Sequence, residues 1–290
     1  MNITIVTDSN CDLPLEYITR NNIHVIPFTY ELDRISYTDD FGNSLSYQEF
    51  YNKVRGGSVP TTAQITPYTF ENQFRELMSR GVPIIYVAFS SALSETYNSA
   101  LMAMSNLMHE DAKADISIID SRCATVGQGL LVRYACEMRA QGKTKQYIVD
   151  WLESNKLKIN HWFTIDSLDH LKRGGRISAA SAAVGGLLEL KPVLNVLDDG
   201  SLNIVKKVRG RKSSIRSLYK EYEARVIRPE EQVVYITHGD SIEDAEYLKS
   251  LILGASKPKE IIITILGPII GAHTGPGMIC IAFWGKDREG

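Results

Sequence analysis

A marked excess of positive or negative charge is missing from this sequence, and so is any stretch approaching the roughly 18 apolar residues needed to span a membrane. The net charge is −2 at pH 7, so no whole-chain attraction to nucleic acid or to an anionic membrane is expected. Cysteine is scarce: Cys11, Cys123, Cys136 and Cys280 are widely separated and form no CxxC pair. That argues against a zinc ribbon or a thioredoxin-like motif and leaves reduced, buried thiols as the expectation. HExxH, P-loop and GxGxxG patterns are absent, so neither a metal nor a nucleotide cofactor finds support. The opening residues, MNITIVTDSN, show no basic segment ahead of a long apolar one. No signal peptide is visible, and a cytoplasmic protein is expected. Internal repeats, low-complexity segments and Pro/Gly/Ser-rich linkers are also lacking.

What is present is enough apolar residue, 44% against 23% charged, to build a sizeable core. A chain of 290 residues exceeds a typical single domain, so two closely packed domains sharing a cleft are expected, with a boundary near Asn160-His161 that divides the chain into 1–159 and 160–290.

In the first half, short β-branched runs alternate with helical periodicity. Residues 3–7 read as a strand ending in Asp8-Ser9, and Asp12-Leu13-Pro14 opens a helix. A strand over 24–30 and a polar loop lead to Ser46-Tyr47-Gln48-Glu49, a capping box whose helix Gly56-Gly57 closes. Thr61 and Thr62 then fall in a turn before Thr66-Pro67 starts a helix burying Phe70, Phe74, Leu77 and Met78. Their hydroxyls either face a cleft or satisfy loop backbone. A strand over 84–89 passes through Ser90-Ser91-Ala92-Leu93-Ser94 into a helix. Such a turn, at the carboxyl end of a strand and the amino end of a helix, favours an anion, with Ser94 as the natural N-cap and donor. Most such turns merely cap themselves. A strand over 115–120 and helices over 125–140 and 145–156 complete a pattern that implies a parallel, doubly wound sheet.

The second half has another texture. A strand over 162–165 and a short helix with Lys172-Arg173-Gly174-Gly175-Arg176 precede a small-residue helix over 179–188. Strands over 192–197 and 202–208 flank Asp198-Asp199-Gly200-Ser201, a hairpin signal that makes this a mixed sheet. A basic helix over 211–226, a strand over 232–237, a helix over 242–253 and a strand over 260–266 follow. Residues 267–277 hold four glycines and read as a loop whose backbone can approach a ligand. A final strand covers 278–284.

Five histidines lack supporting company. His273, in the Gly/Pro-rich stretch, is the one expected to point into a cleft. A triad of Ser94, His273 and Asp8 is conceivable, but no GxSxG elbow surrounds Ser94. The Gly174-Gly175 pair is most simply a helix stop inside a solvated basic cluster, with a partner-binding face as the sharper alternative.

Taken together and in order, TDS, PTTAQ, FSSALSETYNSA, LKRGGRIS, VRGRK and GAHTGPG resemble the motif set of the DegV family over the whole chain. The resemblance implies two α/β domains with a fatty acid bound between them. In some Gram-positive bacteria such proteins are the binding subunit of fatty-acid kinase and present the carboxylate to a separate ATP-dependent kinase that makes the acyl phosphate. Carried over residue by residue, it implies that Thr62 and Ser94 contact the carboxylate with His273 as their neighbour. Thr61, Ser9 and Gly271 are further candidates for the cleft. Arg176 and Arg209 are suggested to face the phosphate or the kinase. Glu95 stands where the family usually has Gly, and Ala63 where it usually has Ser. The expected activity is binding without catalysis, with no cofactor and no metal. A Ser-dependent acyl hydrolase using Ser94 and His273 is the alternative.

Overall fold

The structure is a computed structural model and describes residues 3–177 and 190–288. β1 (Thr4–Asp8), β2 (His24–Ile26), β6 (Ile84–Ala88) and β7 (Ile116–Asp120) form a four-stranded sheet in the order β2-β1-β6-β7. Every pairing in it is parallel. All five residues of β6 are buried, as a strand covered on both faces requires. Between these strands lie α1 (Leu15–Arg20), α2 (Tyr47–Arg55), α3 (Pro67–Met78) and α4 (Thr96–Glu110). The Ser46 hydroxyl starts α2 by accepting from the Glu49 N–H, and Thr66 does the same for Thr69 ahead of Pro67.

The strand expected over 24–30 is two strands. Pro27 has no N–H to give a ladder, and the chain leaves the parallel sheet there, with the Phe28 N–H donating to the Ser9 hydroxyl at 3.1 Å. It then forms β3 (Thr29–Leu32), which pairs antiparallel with β4 (Ile35–Thr38) and β5 (Thr61–Ala63). The β3–β4 turn is Asp33-Arg34, both with positive φ. Asp-Arg is not a common pair for such a turn, which is why this stretch reads as plain loop. Thr61 and Thr62 thus lie on a strand, not in a turn.

β8 (Ile159–Thr164) begins a six-stranded mixed sheet with β9 (Leu190–Val196), β10 (Leu202–Arg209), β11 (Val233–His238), β12 (Glu260–Ile265) and β13 (Ile279–Trp284), ordered β10-β9-β8-β13-β11-β12. One face packs under α8 (Arg211–Arg225) and α9 (Ile242–Ala255) through Trp162, Ile215, Leu218, Ile236, Leu248 and Phe283. The alternate residues Phe163, Leu194, Tyr235 and Cys280 belong to the core of the first half. That two-residue alternation is the strand pleat, and it buries the sheet on both sides.

α5 (Thr125–Ala140) lies between the two large sheets, with residues 125–132 all buried. A helix enclosed on every side shows little amphipathic periodicity. α6 (Lys145–Asn155) and α7 (Asp169–Arg173) flank β8 in sequence. The helix expected over 179–188 lies outside the described residues. The stretch expected to be a loop over 267–277 contains α10 (Pro268–Thr274), with Pro268 at its first turn and Gly275 closing it at φ 74°. Pro at the start and Gly past the end is a helix signature that the glycine count obscures. No helix among the described residues is long and apolar enough to cross a membrane.

Candidate functional site

A cavity of about 430 Å³ lies between the loops after β6 and β7 and the inner face of the six-stranded sheet. Phe89, Leu93, Phe163, Val196, Ile269 and Met278 supply apolar wall. Its volume falls within the roughly 300–1,000 Å³ of small-molecule pockets.

At one end stand Thr62 and His273, 211 residues apart in sequence, with Thr62 Oγ1 and His273 Nε2 at 2.8 Å. β5 sets the threonine through its pairing with Tyr30. The last turn of α10 sets the histidine, whose Nδ1 is buried and makes no hydrogen bond among the described residues. Nδ1 faces the Cα of Gly174, where an added Cβ would stand 2.1 Å away. The glycine pair after α7 is therefore more than a helix stop. Burial, with smaller contributions from the Arg176 charge and His170, pushes the His273 pKa down to about 4, so the ring is neutral at pH 7.

Ser94 lines the cavity but is not the N-cap of α4: that position is Glu95. Instead, the Ser94 hydroxyl accepts from the Thr96 N–H at 3.2 Å and shares a hydrogen bond with the Thr96 hydroxyl at 2.9 Å. Glu95 also lines the cavity, its carboxylate accepting from Asn98 Nδ2 at 2.7 Å. Arg176 lines the same end and donates from Nε to the Leu93 carbonyl at 3.1 Å.

The other candidates lie elsewhere. Thr61 is exposed on β5, opposite Glu31. Ser9 is buried and occupied by Phe28. Gly271 packs on Tyr51 and Phe50. Arg209 ends β10 opposite Leu190, on the outer surface. Ser94, His273 and Asp8 do not assemble as a triad. His273 is paired with Thr62 and Ser94 with Thr96, while the Asp8 carboxyl accepts from Tyr86 at 2.7 Å, the Phe89 N–H at 3.1 Å and Gln128 at 2.9 Å.

The opposite end is closed by the β9–β10 hairpin. Ser90 donates to the Gly200 carbonyl at 3.0 Å and Arg122 to the Asp198 carbonyl at 2.9 Å. Arg288, 4% exposed, fastens this end. Its guanidinium donates to the carbonyls of Ile159 (2.8 Å), Arg122 (2.8 Å), Leu197 (2.9 Å) and Lys156 (3.4 Å), and to Cys123 Sγ (2.9 Å). A lone arginine near the end of the sequence gives no sign of this role.

Three buried carboxyls, Asp8, Asp12 and Asp39, stand behind the site. Asp12 Oδ1 accepts from the Gly267 N–H at 2.8 Å and so holds the entry to α10. Burial outweighs their hydrogen bonds and raises the three pKa values to about 6, 8 and 7, respectively.

The model of the DegV family of uncharacterised proteins matches residues 2–286. The chain belongs to the DegV family. A DegV domain-containing protein of Clostridium perfringens is 45% identical over 285 residues, 98% of each chain. Among solved structures, a DegV family protein of Thermus thermophilus described by its fatty acid binding is 30% identical with a TM-score of 0.86, covering 98% of this chain and 100% of its own. DegV of Bacillus subtilis, a fatty acid binding protein, is 28% identical with a TM-score of 0.82, covering 97% and 98%. In this DegV chain PTTAQ, FSSALSETYNSA, LKRGGRIS and GAHTGPG each contribute a residue to the cavity wall, whereas VRGRK, at the β10–α8 junction, does not.

Proposed function

We propose that this DegV protein binds one long-chain fatty acid in the cavity, its carboxylate at Thr62, Ser94 and His273, and presents that carboxylate to a separate ATP-dependent kinase in the cytoplasm for acyl-phosphate formation. The observation that carries the reading is the Thr62–His273 pair, 2.8 Å apart, at one end of a cavity whose wall includes Phe89, Leu93, Phe163, Val196, Ile269 and Met278. Binding of fatty acids by its structural relatives supports the same ligand class. Hydroxyls and a neutral imidazole offer donors to a carboxylate, and each such charge-assisted bond contributes roughly 1.5–3 kcal/mol. The chain contributes more, at about 0.8 kcal/mol per buried CH2. The headgroup contacts therefore fix orientation while the tail supplies affinity.

The separate kinase is what the family resemblance implies, and a sequence without a recognised phosphate-binding loop is compatible with it. The test is mass spectrometry of the protein purified from a heterologous host, followed by calorimetry of the delipidated protein with stearate. An intact co-purified fatty acid and saturable binding weakened in Thr62→Ala support the reading. Repeated absence of lipid, with acyl-ester turnover lost in Ser94→Ala, would replace it with the hydrolase.

A further inference from the structure

Thr96, the first residue of α4, is fully buried and does not line the cavity, yet it is bonded to Ser94, which does. Its Oγ1 accepts from the Ile65 N–H at 3.3 Å and lies 2.9 Å from Ser94 Oγ. Those are the only hydrogen bonds of that hydroxyl among the described residues. A hydroxyl has one proton and two lone pairs. The Ile65 N–H fills one lone pair of Thr96, and the one acceptor within reach of the Thr96 proton is Ser94 Oγ. If Ser94 donated in this pair, the Thr96 proton would be buried without a partner, a state that buried donors avoid. The Ser94 proton is under no such constraint, because Ser94 is only part-buried and faces the cavity. Thr96 therefore donates to Ser94. Ser94 Oγ also accepts from the Thr96 N–H at 3.2 Å, so both of its lone pairs are filled.

We propose that Thr96 is a positioning residue for ligand binding: its N–H and O–H together occupy Ser94 Oγ and leave that hydroxyl as a donor only, its proton given to the ligand carboxylate. This rests on the fatty-acid reading above. A hydroxyl that receives one hydrogen bond donates a stronger one, so the bonds running from Thr96 through Ser94 to the carboxylate reinforce each other. A carboxylate, which only accepts, is the head group such a hydroxyl suits. The Ile65 bond gives Thr96 a second attachment, to the segment that follows β5 and Thr62. Thr96 thus touches both segments that carry the proposed carboxylate contacts, and a purely structural role would run through Ile65 to Thr62 rather than through Ser94.

The experiment is calorimetric titration of the delipidated full chain with stearate. Thr96→Val, which keeps the shape and removes the hydroxyl, is expected to weaken binding about three- to tenfold, as loss of one hydrogen bond does. That loss is expected to persist in the Thr62→Ala background and to vanish in the Ser94→Ala background. Thr96→Ser, which keeps the hydroxyl, is expected to bind as the unmodified protein does. With stearate labelled with 13C at the carboxyl, the bound resonance is expected to move in Thr96→Val toward its position in Ser94→Ala, and to stay in Thr96→Ser. Should Thr96→Val not fold, Thr96→Cys, whose thiol is a weak donor, takes its place in the same cycle. Unchanged affinity in Thr96→Val, a loss that persists in Ser94→Ala, or one that vanishes in Thr62→Ala overturns the proposal and leaves the fatty-acid reading intact. Ser94→Ala without effect overturns it as well. Failure of the unmodified protein to bind stearate overturns that reading instead.

Discussion

The imidazole of His273 rests on the backbone of Gly174: a methyl group at position 174 would stand 2.1 Å from Nδ1. The ring is thereby aimed at Thr62 by a residue from a different element. Gly174→Ala is expected to displace the ring and to weaken fatty-acid binding by about 1–3 kcal/mol, the loss of a hydrogen bond to a charged group. Gly142→Ala, just after α5 and outside the cavity wall, is the control. Its φ is +75° and nothing lies within 4 Å of a Cβ there, so it costs stability, about 1 kcal/mol, without touching affinity. Calorimetry and thermal melts of the two variants check this, and equal affinity in both would remove Gly174 as the seat of the ring.

Thr62→Ala and Ser94→Ala are each expected to lower fatty-acid affinity by about 1–3 kcal/mol. Ser94→Ala also loses the acceptor for the Thr96 N–H, and should cost about 1 kcal/mol of stability, as loss of one hydrogen bond does. Unchanged affinity in both, read in the same titration, would put the carboxylate elsewhere.

The two arginines should separate. Arg176 lines the cavity close enough to His273 to lower its pKa, so Arg176→Ala is expected to weaken binding of the anionic ligand as well as acyl-phosphate formation. Arg209 ends β10 away from the cavity, and Arg209→Ala is expected to leave affinity unchanged and to slow turnover with a cognate kinase, by less as salt rises. Full turnover by Arg209→Ala at low ionic strength would end its kinase-facing assignment.

The buried aspartates make stability depend on pH with a definite sign. Their folded pKa values of about 6, 8 and 7 for Asp8, Asp12 and Asp39 exceed the ordinary 3.8, so the folded state holds protons that the unfolded state releases. Their contribution is complete below about pH 4 and is lost as pH rises through 6, 7 and 8. His273, lowered to about 4 from 6.5, works in the opposite direction and costs stability as pH falls across that interval. Asp39→Asn, which cannot ionise, should gain on the unmodified protein by roughly 1–3 kcal/mol between pH 5 and pH 8. Urea denaturation at both pH values measures this, and an equal difference at both would mean that Asp39 does not titrate in the fold.

Legibility in the sequence followed the range of the interactions. α5 and β7 were readable within a residue because their signals are local: a continuous apolar strand, a turn and a long helix. The ends of α2 and α3 were equally plain from Ser46, Thr66 and Pro67. The β3–β4 hairpin was hidden by an Asp-Arg turn, and α10 by glycines that serve contacts with Tyr51 and the helix stop. Thr62 and His273 could be named only through motif resemblance, since nothing local shows that residues 211 positions apart meet. His161 reads only as a boundary residue ahead of the strand over 162–165, because its contact with Gly127 is made across the fold, and Arg288 gives no local sign because its acceptors are carbonyls of distant segments.

Arg288 also makes the far wall of the cavity a joint property of distant segments. The carbonyls it gathers, at Arg122, Lys156, Ile159 and Leu197, belong to the loop after β7, the approach to β8, β8 itself and the β9–β10 hairpin, so a single buried guanidinium knots segments that otherwise meet in pairs. The Thr62–His273 pair draws on none of them. The two ends of the cavity are thus held by separate sets of bonds, and the far end can loosen while the near end keeps its geometry.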